Sequence, residues 1–399
     1  MVNDLYGHTI GDKFLVEIAH RLSSILNDNE TVFRFGGDEF VIISLTIHES
    51  YHLENRLKFI STVLSQKIHC GSGVLTPSCT IGVSIFEDCN ETIDDLVKKA
   101  DIALYEAKES RKGSVYFYQS ELNYFIERRY AIEHEIPNGL ENNEFEVFYQ
   151  PQYCCKRKQF IGVEALCRWN STKLGPIPPS EFITIAEKNM SIHDLGHFII
   201  KQSIDDISKL TRTTWLPIHL SINVSPIQLT YSDFIDRVIT VVTRAGVSPS
   251  NITFELTESA TVDKLDVISS QLYRLKRLGF KLSLDDFGTG YSSLSYLNNL
   301  PFDEIKIDRS FIHTMIEDEQ CNSIVKAIIA IGSSLGLSIV AEGVETYQQA
   351  QKLTQYRCDL LQGYYFSKPV NINGLKVILR EHKETAQSNT IYQDSVSYY

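Results

Sequence analysis

The stretch KLSLDDFGTGYSSL, residues 281–294, starts as an alternating apolar strand and then sets two acids, Asp285 and Asp286, side by side before glycines, serines and a tyrosine. Adjacent like charges repel, and a half-buried carboxylate is costly unless something pairs with it. A solvated turn after a strand explains an isolated pair of acids. A metal or phosphate site also explains it, and that reading requires partners elsewhere in the chain.

Segments of the same kind recur. EVFYQPQY (146–153), IGVEALCRW (161–169), IHLSINVS (218–225), ITFELTES (252–259), EIKIDRSF (304–311), SIVAEGVE (338–345) and LLQGYYFS (360–367) read with KLSLDDF as eight apolar strands. Most are separated by stretches long enough for a crossover helix, such as 262–278 and 318–335. Eight such strands in about 250 residues is the count of an α/β, (β/α)8 TIM-like barrel, whose functional groups gather at the C-terminal strand ends. Those ends carry, in order, Glu164, Asn223, Glu255, Asp285 with Asp286, Lys306, Glu342 and Gln362. One such residue alone is an ordinary polar side chain, and Lys306 has a structural alternative in an ion pair with Asp308 or Glu304. Seven consecutive ends of this kind predict a single cluster. Five carboxylates and one lysine repel without cations, and an oxygen-rich set suits Mg²⁺ or Mn²⁺. Adjacent acids would let one segment serve two ions.

Composition sets the outer limits. The chain has 399 residues, 43% of them hydrophobic, and a formal net charge of -12. That disfavours non-specific binding to a nucleic acid polymer or to an anionic membrane, but not a small anionic ligand at a local site. The eight cysteines show no CxxC or Cys/His ligand spacing, which predicts reduced thiols and a cytoplasmic location. The longest weakly polar run, AIIAIGSSLGLSIVA (327–341), is too short to span a bilayer.

The first third has another rhythm. In residues 1–118, GDKFLVEIAHRLSSIL reads as a helix, VFRFGGDEFVIISL as strand, turn and strand, and CTIGVSIF as a further strand. TIDDLVKKADIALYEAKES reads as a helix opened by a Thr92–Asp95 capping box. A charged interdomain helix is predicted over 119–136, broken by Pro137, Asn138 and Gly139 within a linker running to 142. The barrel is expected over 143–380, and the polar tail 381–399 is expected to be disordered.

The motifs carry two resemblances. EALCRW (164–169), SINVS (221–225), ELTES (255–259), DDFGTGYSSL (285–294), KID (306–308), AEGVE (341–345) and LQGYYFSKP (361–369) resemble the motif set of the EAL-domain cyclic di-GMP phosphodiesterases of bacterial second-messenger and biofilm signalling. That resemblance implies hydrolysis of cyclic di-GMP to linear pGpG, with a receptor that binds without cleaving as the alternative. Carried over by motif, Glu164, Asn223, Glu255 and Asp285 would hold one Mg²⁺ or Mn²⁺, and Asp285, Asp286 and Glu342 would surround a second. Lys306 would orient water or offset phosphate charge, and Gln362 would support water or substrate. Gln150, Glu164, Leu166 and Arg168 would face the substrate, and Glu345 would anchor the loop 287–294. A homodimer through the barrel is also implied.

FGGDEF (35–40), with NDLYGHTIGDKFL (3–15) and ADIALYEAKES (100–110), resembles the GGDEF domain of diguanylate cyclases. By that resemblance Asn3 and Asp12 would read the guanine of GTP, Asp38 would bind metal, Glu39 would assist and Lys108 would touch phosphate. The chain opens where the family's first core strand ends, which removes a second metal-binding aspartate. Arg111, Lys112 and Gly113 stand where the family has Gly-Arg-Asn, and its inhibitory RxxD site appears as Asn27 to Glu30. The resemblance therefore implies a truncated, inactive cyclase domain, with Met1 an internal methionine of a longer, membrane-anchored parent.

Overall fold

The computed structural model describes residues 8–45, 50–70, 73–86, 91–110, 113–214, 217–258, 265–288 and 300–382. Asn3, Arg111, Lys112, residues 289–294 of the acid-bearing loop and residues 383–399 of the tail lie outside the described residues. Contacts divide the chain into two units, Met1–Arg129 and Tyr130–Tyr399.

The first unit mixes helices and short strands. Strands β1 (Glu30–Gly36) and β2 (Glu39–Ser44) form the expected antiparallel hairpin around the Gly-Gly-Asp turn. β3 (Ile68–Cys70) pairs antiparallel with β4 (Gly73–Leu75), and β5 (Ile81–Val83) pairs parallel with β6 (Val115–Phe117). The core is built where Ile18 and Leu22 of helix His8–Ile25 meet Ile60 and Leu64 of helix Ser50–Leu64, with Val32, Phe40 and Ile42 of the hairpin against them. Helix Ile93–Ser110 opens with the capping box: the Thr92 N–H donates to Asp95 Oδ2 at 3.0 Å, and the Asp95 N–H to Thr92 Oγ1 at 3.2 Å. Hydrogen bonds from the Thr92 side chain and backbone hold the Asp95 carboxyl below its usual range.

The second unit is a closed eight-stranded barrel. β7 (Phe145–Cys154), β8 (Gln159–Ser171), β10 (His219–Asn223), β11 (Ile252–Thr257), β12 (Lys281–Phe287), β13 (Glu304–Ile307), β14 (Ser338–Ala341) and β15 (Leu360–Leu361) follow one another around the ring, while β9 (Gly175–Ile177) extends β8 outside it. The six strands β10 to β15 and β8 run parallel, as the crossover helices require. β7 runs antiparallel to both its neighbours, because a short turn rather than a helix joins it to β8. Alternation sorts the side chains. Leu220, Ile222, Phe254, Leu256, Leu282, Leu284, Ile305 and Ile307 share one core with the helix residues Ile235, Val238, Val241, Ile268, Leu272, Ile328 and Ile329. The intervening Ser221, Asn223, Thr253, Glu255, Ser283, Asp285, Glu304 and Lys306 therefore face the barrel interior. Among the described residues no helix is long and apolar enough to cross a membrane.

One expectation is corrected. Helix Ser120–Glu141 runs straight through Pro137 and Gly139 and does not break there. Ile132 and Ile136 are fully buried in a second core with Phe145, Trp169, Phe182 and Leu195, which holds the helix in register past the proline. Gly139 is needed as a close approach and not as a breaker. A Cβ there would lie 2.9 Å from Trp169 Nε1 and 3.0 Å from Phe145 Cε2. The indole cannot retreat, because it stacks on Phe145 at 4.7 Å between centroids and donates from Nε1 to Glu144 Oε2 at 3.1 Å.

In a free helix, Gly→Ala stabilises by about 1 kcal/mol. Gly139→Ala is expected to do the opposite and destabilise the second unit by ~1–3 kcal/mol through overpacking. Urea unfolding followed by tryptophan fluorescence measures this directly, since Trp169 and Trp215 both lie in that unit. A stabilised Gly139→Ala protein would show that the contact with Trp169 is loose.

Candidate functional site

The interior polar residues converge at the C-terminal ends of the parallel strands around one side chain. Lys306, on β13, is fully buried. Its Nζ lies 2.6 Å from Glu342 Oε1, 2.7 Å from Glu255 Oε2, 3.4 Å from Glu164 Oε2 and 3.4 Å from Asp285 Oδ2. Four strands thus send a carboxylate to one ammonium. Asn223 Nδ2 donates to Glu164 Oε1 at 2.6 Å, and Gln362 Nε2 donates to Glu164 Oε2. Every strand-end residue read from the sequence, from Glu164 to Gln362, belongs to this one constellation or borders it.

Adjacent residues on a regular strand point to opposite faces, so Asp285 and Asp286 could not both reach the site from a flat β12. The strand solves this with a bulge. Its register against β13 shifts between Leu284 and Phe287, and Asp286 takes a positive φ of 55°, a conformation that aspartate tolerates better than most residues. The Asp286 N–H then donates to Asp285 Oδ1 at 2.9 Å. As a result, one carboxylate oxygen from each of Asp285, Asp286 and Glu342 lies within 4.8 Å of the others.

The cluster is short of positive charge. Burial pushes Glu255 well up from the usual carboxylate range despite Lys306 beside it, and burial likewise raises Asp285. Burial moves Glu342 up to about 8 against the pull of Lys306. Asp286 rises to about 6 through burial, with Asp285 and Asp308 adding to the effect. Burial opposes ionisation of Glu164 as well, but Lys306, Gln362 and Asn223 together outweigh it and hold that group low. Lys306 is held protonated: burial disfavours its charge, and Asp285, Glu164, Glu255 and Glu342 overcome that penalty. Glu255 Oε1 is buried without a hydrogen-bond partner among the described residues. An unsatisfied carboxylate oxygen, raised carboxylate pKa values and three ligand atoms in close approach fit a hard divalent cation.

The β7–β8 hairpin forms a second wall. Gln150 pairs across from Glu164, Phe148 from Leu166, and Glu146 from Arg168, so alternation puts Gln150, Glu164, Leu166 and Arg168 on one face. The Arg168 guanidinium lies over the Phe148 ring at 5.7 Å, and its Nη1 donates to the Cys167 carbonyl at 2.8 Å. Phe148, at i−2 from Gln150, joins the wall by strand alternation. Glu258 is another addition. It is buried, and its Oε2 accepts from the Gly288 N–H at 3.0 Å, at the root of the acid-bearing loop. The Glu345 carboxylate is exposed, while its N–H donates to Gln349 Oε1 at 2.8 Å as part of the start of helix Tyr347–Gln355.

In the first unit, Asp38 is exposed on the hairpin turn and Asp12 is exposed on helix His8–Ile25. Lys108 Nζ reaches Glu39 Oε1 at 3.3 Å across 69 residues of sequence.

Removing the central cation tests the electrostatics. In chelator, Lys306→Met is expected to lower stability by about 3–5 kcal/mol, because it leaves buried carboxylates uncompensated. Added Mn²⁺ should recover more of the melting temperature in Lys306→Met than in the parent protein. An unchanged melting temperature in chelator would mean that the carboxylates do not depend on the ammonium.

Comparison with known proteins agrees with this geometry. Residues 133–369 match the EAL domain family, and residues 1–114 match the diguanylate cyclase, GGDEF domain family. The chain is 33% identical over 369 residues to the bifunctional diguanylate cyclase/cyclic di-GMP phosphodiesterase MucR of Pseudomonas aeruginosa, covering 92% of this chain and 54% of that protein. It is 34% identical over 384 residues to the cyclic di-GMP phosphodiesterase NbdA of the same organism, covering 96% and 49%. The chain thus spans about half the length of the curated relatives it matches. Among solved structures, the PaMucR phosphodiesterase in its c-di-GMP complex superposes with a TM-score of 0.59 at 36% identity, covering 61% of this chain and 99% of that one. The EAL enzyme Bd1971, in its cAMP and cyclic-di-GMP bound form, superposes with a TM-score of 0.60 at 34% identity, covering 65% and 70%. With the family match extending across the barrel and the motif residues gathered at its open end, the chain belongs to the EAL domain family and carries a GGDEF domain before it.

Proposed function

We propose that the second unit hydrolyses cyclic di-GMP to linear pGpG in a reaction that depends on Mg²⁺ or Mn²⁺. The observation that carries this reading is the buried set of Glu164, Glu255, Asp285 and Glu342 around Lys306, with Asp286 brought alongside by the β12 bulge. Glu164, Asn223, Glu255 and Asp285 would hold one cation, and Asp285, Asp286 and Glu342 a second. Bound there, divalent cations supply Lewis-acid polarisation of a phosphodiester and activation of water.

The chain's own residues do the rest. Lys306 places a fixed positive charge beside the position where negative charge grows on phosphorus-bound oxygens. Arg168, braced by Phe148, offers a guanidinium to a phosphate or a guanine edge. Gln150 orients the ligand from the hairpin wall, and Leu166 gives it an apolar contact. Glu258 steadies the start of the loop that follows Asp286.

Purified protein incubated with cyclic di-GMP and Mg²⁺ or Mn²⁺ is expected to yield pGpG by chromatography, and excess chelator should stop it. Ca²⁺, with its looser coordination, should not replace Mg²⁺. Glu164→Ala and Asp285→Ala should each abolish turnover. Full activity in chelator, or in either variant, would overturn the reading. Binding without product in Mg²⁺ and in Mn²⁺ would identify a receptor instead.

The loop root gives a second check. Glu258→Ala is expected to lower turnover by about tenfold, the equivalent of one lost charged hydrogen bond. Glu345→Ala should lower it by less. The opposite order would transfer the anchoring role to Glu345.

A further inference from the structure

Three glutamines form a hydrogen-bonded chain across the barrel wall. Gln152, on β7, donates from Nε2 to Gln362 Oε1 at 3.0 Å across 210 residues of sequence. Gln362 donates from Nε2 to Glu164 Oε2 and to Gln150 Oε1, the latter at 3.1 Å. Gln150 in turn donates from Nε2 to the Ser367 carbonyl at 3.1 Å. All three side chains are buried.

The direction of this chain is set by chemistry. An amide has one acceptor end and one donor end, and either can face a neighbour. The Ser367 carbonyl and the ionised Glu164 are acceptors only. Gln362 must therefore turn its NH₂ toward Glu164, and Gln150 must turn its NH₂ toward Ser367. That leaves Gln362 Oε1 in a buried position needing a donor, and Gln152 supplies it. A buried acceptor left without a donor is costly, so the alternative amide orientations are disfavoured. Position 162 is adapted to this: a Cβ on Gly162 would come within 2.6 Å of Gln152 Oε1.

We propose that Gln152 is a positioning residue for ligand recognition: its donor satisfies Gln362 Oε1, the buried acceptor that the orientation required by Glu164 and Ser367 leaves open, and so holds Gln362 and Gln150 in place with the second N–H of Gln150 available to a ligand acceptor. The ligand class is the one proposed above, a cyclic dinucleotide with phosphate and guanine oxygens as acceptors, and the inference rests on that reading. Gln152 itself needs no ligand contact. Its effect depends on hydrogen-bond direction, which distinguishes it from a residue that only fills space.

Two substitutions separate direction from volume. Gln152→Met keeps the length and removes the donor, whereas Gln152→Glu keeps the shape and replaces the donor with an acceptor. Calorimetric binding of cyclic di-GMP in Ca²⁺ is expected to weaken about fivefold in Gln152→Met, one hydrogen bond's worth, and about fiftyfold in Gln152→Glu, where a carboxylate is set against the Gln362 oxygen. Melting temperatures measured alongside identify any loss that comes from unfolding. In the ligand-free protein, slowly exchanging side-chain NH₂ signals of Gln362 and Gln150 are expected by NMR, and they should be lost in Gln152→Glu. Equal weakening in the two folded variants, or binding within twofold of the parent in Gln152→Glu, would overturn the proposal. So would unchanged NH₂ signals. If the parent protein does not bind cyclic di-GMP, the functional reading falls, and the NMR comparison alone still decides whether Gln152 holds the chain in place.

Discussion

A single buried ammonium organises the open end of the barrel. Lys306 has no exposure to solvent, and four carboxylates from four different strands lie within 3.4 Å of it. Neither partner could be buried alone. An isolated ammonium or carboxylate would lose its charge before entering such an environment. Together they tolerate burial, but one cation does not offset four anions. Glu255, Asp285 and Glu342 all respond with raised pKa values. The site is therefore built with a standing attraction for further positive charge, and its oxygen donors determine which ions satisfy it.

Much of this arrangement was legible in the sequence because strands have a period of two. Placing Glu255, Asp285 and Lys306 at strand ends, with apolar residues between, was enough to put them in one interior. The capping box at Thr92 was likewise a local pattern that the tertiary structure had no reason to override. Pro137 and Gly139 were misleading for the opposite reason. Their local preference for ending a helix is overcome by Ile132, Ile136 and the indole of Trp169, which are brought together only by the fold. The bulge at Asp285–Asp286 leaves no mark beyond the unusual pair itself, since backbone register is a property of the neighbouring strand. Gln152 and Phe148 could have been found by extending the alternation two residues either side of Gln150. Glu258 carried no comparable signal, because its partner is a backbone N–H.

The two walls of the site come from different parts of the architecture. Glu255, Asp285 and Lys306 sit on parallel strands that helices cover from outside, whereas Gln150, Leu166 and Arg168 sit on the β7–β8 hairpin, which also carries Glu164. Glu164 therefore belongs to both walls and ties the charge cluster to the hairpin.

The seam at which β7 meets β15 is a ladder of two pairs, Leu360 with Cys154 and Leu361 with Tyr153. It also closes the largest span of chain, and loop-closure entropy makes such contacts the slowest to become favourable. The polar groups that cross this seam have no counterpart in a barrel that is still open. A nascent chain of this unit can assemble β8 and β10 to β14 and still lack Gln362 until β15 arrives. The proposed binding wall is thereby coupled to completion of the fold, and a stalled or clipped polypeptide would lack it.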